Sequence, residues 1–162
     1  PKLNLKKNHK KLESLRPLPG RGEILQIKKR AKKFFLIDES YNSNPNSLKM
    51  AILDLNKEKY KLNGKILVIG DMLELGKFSK KMHKEIVPII SNIQPKLVIT
   101  VGEFSRVISE SLPSNISSFH FKKVFHVYNK LLTKIDNNDI VMVKGSNSTK
   151  LSMLIKFLSQ GM

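Results

Sequence analysis

The sequence predicts an α/β fold: a doubly wound, mostly parallel sheet with helices on both faces. Two observations carry this. "KILVIG" (65–70), "KLVITVG" (96–102) and "DIVMVKG" (139–145) are nearly continuous runs of Ile, Val, Leu and Met. Such runs mark strands covered on both sides rather than strands with one wet face. Each is followed by a polar loop and then a segment with helical apolar spacing, and this strand–helix alternation builds a parallel sheet.

The elements follow in order. Residues 1–14, "PKLNLKKNHKKLES", are lysine-rich and read either as a frayed helix or as the tail of a preceding element. "LRPLPGRGE" (15–23) holds two prolines and two glycines and reads as a linker. "EILQI" and "KFFLI" are short strands around the basic turn "KKRAK", which suggests a hairpin. Asn44 before Pro45 supplies an N-cap and a first-turn proline for a helix with Leu48, Ile52 and Leu55 on one face. After 65–70 a helix of about 13 residues is expected through Met82, Ile86 and Ile90. Another is expected around "EFSRVISESL". A weaker strand at "SFHF" precedes a helix from Val124 to Ile135, and "TKLSMLIKFLSQ" forms the last helix. The expected division is thus 1–23 as a basic segment and interdomain linker and 24–162 as the folded domain.

Composition sets limits. A chain of 162 residues with 40% hydrophobic content fits one domain with a real core. It has no cysteine, so disulfides and thiolate metal sites are excluded, which suits a reducing cytoplasm. No apolar run approaches the length of a membrane span. The first residue is Pro1 rather than Met, which reads as a piece of something longer.

The net charge of +17 invites a nucleic-acid reading. Arginine, however, contributes only Arg16, Arg21, Arg30 and Arg106 among the 30 basic residues. Base-reading surfaces favour the arginine fork and interleaved aromatics, and neither is evident. The lysines are scattered over nearly every helix, as a solvated surface would have them. The alternative, a noncatalytic basic α/β module for nucleic acid or an acidic partner, needs them on one face.

In an open parallel sheet, ligands bind where the strands' carboxyl ends and the following helix N-termini line one edge. The loops there are "DESYNSNP", "GDMLELGK", "VGEFS" and "VKGSNSTK". "DESYNSNPNSLKMAI", "VIGDMLELG" with the downstream His83, and "VKGSNSTK", in that order, resemble the C-terminal domain of the Mur ligases, a Rossmann-like domain. "LPGRGE" resembles the linker that joins it to the family's central ATPase domain. The resemblance runs over residues 12–158.

That resemblance implies ATP-dependent amide-bond synthesis during peptidoglycan precursor assembly in the cytoplasm. A carboxylate is phosphorylated by ATP, an amine attacks the acyl phosphate, and phosphate leaves. The branch of the family most resembled joins D-alanyl-D-alanine to UDP-N-acetylmuramoyl-tripeptide. No G-x-x-x-x-G-K-[ST] phosphate loop occurs here. In the family that loop and the magnesium ligands belong to other domains. The resemblance therefore implies that the chain alone is inactive, with ATP and Mg2+ bound mainly by the central domain.

Carried onto this sequence, Arg21 is the linker arginine that approaches the ATP phosphates, against the plain reading of a solvated linker arginine. Glu39 stands where relatives hold the ribose hydroxyls with an aspartate; Asp38 beside it either substitutes or finishes the strand. Tyr41, Asn42 and Asn44 match a Y-N-x-N core. Asn44 is explained by capping alone, whereas Asn42 either contacts the nucleotide or makes an Asx-turn. Lys144, Gly145, Ser146 and Asn147, with Tyr41, are the candidates for the dipeptide, through backbone N–H groups, the Lys144 charge and the Ser146 hydroxyl. The family commonly has arginine at Asn147 and methionine at Thr149. Asp71 and Glu74 in "GDMLELG" read as parts of a structural turn, and His83 as a packed or capping histidine. No metal ligand is expected within the chain.

Overall fold

The computed structural model of the chain describes residues 17–57 and 63–160, so the lysine-rich opening segment lies outside the described residues. Its strands are β1 (Glu23–Lys29), β2 (Lys32–Glu39), β3 (Lys65–Gly70), β4 (Leu97–Val101), β5 (Ser118–Phe121) and β6 (Ile140–Lys144). They form one sheet in the order β1-β2-β6-β3-β4-β5. β1 runs antiparallel to β2, and every other pairing is parallel.

The expected hairpin forms with Lys29 opposite Lys32, leaving Arg30 and Ala31 as a two-residue turn. Both have positive φ, 47° and 61°, the hand that matches the twist of the flanking strands.

Alternation along the central strands sends side chains into two cores. Ile66, Val68, Val141 and Val143 enter one. Leu67, Ile69, Ile140 and Met142 enter the other. The first core is closed by α5 (Val127–Lys134) and α6 (Leu151–Ser159), through Val127, Leu131, Leu154 and Leu158. The second is closed mainly by α1 (Pro45–Asp54), α3 (Val87–Ile93) and α4 (Arg106–Ser111), through Leu48, Ile52, Ile90 and Ile108. Central strands buried on both faces explain the unbroken apolar runs.

Asn44 caps α1 as expected. Its side chain accepts the Ser47 N–H at 2.8 Å, and Ser47 Oγ accepts the Asn44 N–H at 3.0 Å. This reciprocal pair is a capping box in which serine does the work usual for glutamate.

Three helices depart from expectation, one by a break and two at their starts. The helix of about 13 residues through Met82 is two, α2 (Ser79–Lys84) and α3, because Pro88 has no N–H to donate and its ring displaces the carbonyl a turn earlier. The helix expected from Val124 opens with a tight 3-10 turn over Val124–His126 before α5. The last helix begins at Leu151 rather than Thr149. Thr149 bonds back to the Ser146 carbonyl through its N–H (2.9 Å) and its hydroxyl (2.6 Å), closing a 3-10 turn over Asn147–Thr149. Lys150 then reverses the chain with φ 56°.

Candidate functional site

The parallel strands share one direction, so the loops after β2, β3, β4 and β6 meet at one edge. The linker docks there first. Gly22 N–H donates to the Asp38 carbonyl at 2.7 Å, Gly20 N–H donates to Asp38 Oδ2 at 3.1 Å, and Tyr41 N–H donates to the Gly20 carbonyl at 3.2 Å. Gly20 has φ 78°, and a Cβ on it would lie 2.8 Å from that of Tyr41, so only glycine fits this crossing. Asp38 Oδ1 takes both the N–H and the hydroxyl of Ser40. Of the two readings of Asp38, finishing the strand and fixing the linker is the one its bonds express.

This docking sets Arg21 above Tyr41, with the guanidinium carbon 4.2 Å from the ring centroid. The stacked arginine is aimed without being neutralised, because a ring face attracts a cation but accepts none of its five N–H groups in strong bonds. Tyr41 stays half exposed, at 52%.

Lys144 behaves differently from a surface lysine. It is buried, and its Nζ donates to Glu39 Oε2 at 3.2 Å and to the Asn42 carbonyl at 3.0 Å. Its charge therefore holds the β2 loop in place, and neither Lys144 nor Gly145 lines the open cavity beside it. Gly145 serves packing: a Cβ there would come 2.7 Å from Leu151 Cδ1 and 2.9 Å from Gly70 Cα.

That cavity, of about 660 Å³, is lined by Tyr41, Asn42, Ser43, Ser146 and Asn147, with Leu73–Leu75 of the β3 loop opposite. Asn42 is exposed and its Oδ1 accepts the Ser43 N–H at 2.7 Å, leaving its amide donors outward. This is neither the Asx-turn pattern nor a fully occupied amide. The Ser146 hydroxyl accepts the Leu73 N–H at 3.0 Å, which couples the β3 and β6 loops and leaves its own proton to give. Sequence reasoning passed over Ser43, whose hydroxyl is buried with no hydrogen-bond partner. Its only sequence signal was its place between two asparagines.

The β3 loop is structural, as its sequence suggested. Asp71 is buried and accepts three N–H groups ahead of α4, from Glu103 (2.8 Å), Phe104 (3.0 Å) and Ser105 (2.7 Å). His83 is fully buried, accepting the Met72 N–H on Nε2 at 2.9 Å and bonding the Ser79 carbonyl through Nδ1 at 2.7 Å. Those partners fix the neutral tautomer with its proton on Nδ1, and burial pulls its pKa below the ordinary value. Among the described residues no group of three or more His, Asp or Glu is placed to hold a metal ion, and no helix is long and apolar enough to cross a membrane.

A mostly parallel sheet with an antiparallel hairpin at one side, and a linker docked across its strand-end loops beside an open cavity, defines a doubly wound α/β domain with its candidate site at the strands' carboxyl edge. The model of the Mur ligase glutamate ligase domain matches residues 20–147, and the chain belongs to the Mur ligase family. It is similar to the UDP-N-acetylmuramoyl-tripeptide--D-alanyl-D-alanine ligases of Rickettsia prowazekii (31% identical over 138 residues) and Bacillus subtilis (32% over 143 residues). Each alignment covers 85% of this chain, but only 29% and 30% of the relative, so the chain spans less than a third of their length. Among solved structures, MurF from Acinetobacter baumannii superposes over 96% of this chain and 34% of its own, with TM-score 0.76 and 24% identity. MurF ligase from Thermotoga maritima, in complex with ADP, superposes over 90% of this chain and 31% of its own, with TM-score 0.72 and 22% identity. The resemblance read from the strand-end motifs and the doubly wound fold are thereby borne out.

Proposed function

We propose that this chain is the C-terminal domain of an ATP-dependent ligase that joins D-alanyl-D-alanine to UDP-N-acetylmuramoyl-tripeptide, with ATP and Mg2+ held mainly by a central domain outside the sequence. Residues 1–23 are read as the approach and linker, and 24–162 as the domain that closes. The observation that carries this is the convergence at one edge of Arg21 on the Tyr41 ring and of Tyr41, Asn42, Ser146 and Asn147 around one cavity.

On the nucleotide side, Arg21 brings unpaired donors to the phosphates, Glu39 offers its second carboxylate oxygen to the ribose hydroxyls, and Asn42 offers its amide. Lys144 holds Glu39 and the Asn42 carbonyl in register from beneath. On the acceptor side, Tyr41, Ser146 and Asn147 border the space where the acyl phosphate meets the dipeptide. The amine lone pair forms the new C–N bond as the C–O bond to phosphate breaks, and the amine's surplus proton leaves to water. Catalysis of this kind rests on placing reactants and neutralising phosphate charge. Magnesium would supply charge neutralisation on the phosphates, and these residues supply none of its ligands.

The test is a fusion of this chain behind the N-terminal and central domains of the Bacillus subtilis relative. Phosphate release dependent on D-alanyl-D-alanine is expected from the fusion, none from the chain alone, and about ten-fold less from the fusion carrying Arg21→Ala. A folded fusion without turnover, together with RNA binding that falls steeply with salt, would establish the basic-module alternative instead.

A further inference from the structure

We propose that the outer face of the α5–α6 layer docks on an anionic lipid bilayer, its lysines against the phosphate headgroups and its exposed apolar side chains in the boundary beneath them. The proposal is independent of the ligase reading and concerns the flat of the sheet rather than the strands' carboxyl edge.

The lysines are spread over the whole surface, but the carboxylates that answer them are not. The two stretches that contain this layer, 111–135 and 140–162, hold no Asp or Glu at all. They carry Lys122, Lys123, Lys130, Lys134, Lys150 and Lys156 besides the buried Lys144. Among the described residues none of those six is in an ion pair. The two acids closest to the gap between the stretches are already engaged: Asp136 meets Lys32 and Lys96, and Asp139 meets Lys96. Across the sheet the two signs are mixed, with Lys57 on Asp54 at 2.5 Å beside α1 and Arg106 on Glu110 at 2.7 Å in α4. One helix layer is thus balanced and the other purely positive, in a chain of net charge +17.

Charge alone would suit any polyanion; the apolar side chains on the same face narrow the choice. On α6, Leu151, Leu154, Ile155 and Leu158 enter the core, which leaves Met153, Lys156, Phe157 and Gln160 on the opposite stripe at helical spacing. Met153 is 41% exposed and Phe157 39%, while Phe125, just ahead of α5, is 71% exposed. Tyr128 of α5 meets Phe157 edge-on, with ring centroids 6.1 Å apart, so an aromatic seam joins the two helices.

A basic face with exposed Phe and Met suits a headgroup layer. Ammonium groups reach phosphates on flexible stems, while the ring and the thioether leave water. A nucleic-acid backbone would take the lysines but would give Met153 nothing. None of the four arginines falls in either stretch, and Phe157 leans on Tyr128 rather than lying open to a base. A second copy of the chain would set one positive face against another.

The experiment is co-sedimentation of the whole 162-residue chain with vesicles. Binding is expected to mixed phosphatidylglycerol and phosphatidylcholine, falling steeply with salt, and is expected to be absent with phosphatidylcholine alone. The screening length is about 8 Å at physiological salt, so only charges on the facing layer count. Lys123→Gln, Lys134→Gln and Lys156→Gln together should weaken binding on the order of a hundred-fold, at about five-fold for each lysine. The same loss of charge at Lys80, Lys81 and Lys84 of α2, which packs on α4 behind the sheet, should weaken it less than about three-fold. All six side chains are exposed, so both triple variants should keep the parent's urea midpoint. The chain has no tryptophan, so Met153→Trp gives a single reporter whose emission should move to the blue on binding. Equal losses from the two triples would overturn the proposal by reducing it to net charge. Unmoved emission from sedimented protein would do so by keeping α6 in water. Binding to single-stranded RNA with the same lysine dependence, and none to vesicles, would assign the face to nucleic acid instead. Failure to bind either would also overturn it, and would leave the ligase reading untouched.

Discussion

Lys144 and Glu39 face each other as partners in the parallel ladder between β6 and β2, and their side chains close the pair at 3.2 Å. The Lys144 side chain is 3% exposed and that of Glu39 29%, so one charge is sealed and the other is partly hydrated. An aspartate here would be one methylene shorter, and the reach of Glu39 goes into spanning the ladder.

The unequal burial makes the pair asymmetric under mutation. Glu39→Ala leaves a buried ammonium with only the Asn42 carbonyl and is expected to cost about 2–3 kcal/mol of stability. Lys144→Met leaves a carboxylate that water can reach, and about 1 kcal/mol is expected. Urea denaturation of both variants checks this; a larger loss for Lys144→Met would show that the pair is not organised around the buried cation.

Asp71 ties the β3 loop to the start of α4, so Asp71→Ala should release three N–H groups at once. A loss of about 2–4 kcal/mol is expected, and Asp71→Asn, which retains one acceptor, should recover part of it. Thermal unfolding measures both. Gly102→Ala should be damaging at the same place, since φ is 121° and the new Cβ would lie 2.4 Å from the Asp71 carboxylate. An Asp71→Ala midpoint within a degree of the parent would refute the capping role.

What the sequence made legible was whatever depends on neighbours in the chain. The apolar runs at 65–70, 96–102 and 139–145, the Asn44–Pro45 helix start and the structural character of "GDMLELG" are all local patterns, and all stand. From the resemblance, Lys144 reads as a cation for substrate because it stands where the last strand ends and the loop to the last helix begins. Its burial depends on Glu39 and Asn42, over 100 residues earlier. Asp71 likewise finds its donors 32 to 34 residues later. Lys29, which looked like one more solvated lysine, is buried and donates to the Phe157 and Gln160 carbonyls at the end of α6.

The β1–β2 turn offers a stabilising change. Arg30 and Ala31 both sit at positive φ without the residues that favour it. Ala31→Gly, at φ 61°, should raise stability by about 0.5–1 kcal/mol by removing the steric cost of the Cβ. The turn lies at the opposite end of β2 from the strand-end loops, so binding at Tyr41 and Asn42 should be unchanged. A lower urea midpoint for Ala31→Gly would mean that the extra freedom it gives the unfolded chain outweighs the relief.

His83 sets the pH dependence. Burial is the main cause holding its pKa below the ordinary value of about 6.5, outweighing the opposing pull of the Ser79 carbonyl and the Asp71 charge. The fold thus favours the neutral ring, while the unfolded chain takes up the proton more readily. Its contribution is fully present above about pH 6.5 and is lost as the pH falls through the lower folded value. The half-buried His120 is depressed too, by burial first and then by the Arg106 charge, and acts in the same direction. The urea midpoint should therefore drop between about pH 7.5 and pH 5.5. His83→Gln should be less stable at the higher pH, having lost the Met72 N–H as a well-placed partner, but should show a shallower drop. The part that persists in His83→Gln and disappears when His120 is also replaced belongs to the second histidine. An identical slope in parent and His83→Gln would mean that the buried ring takes its proton without cost, which its bond from the Met72 N–H to Nε2 argues against.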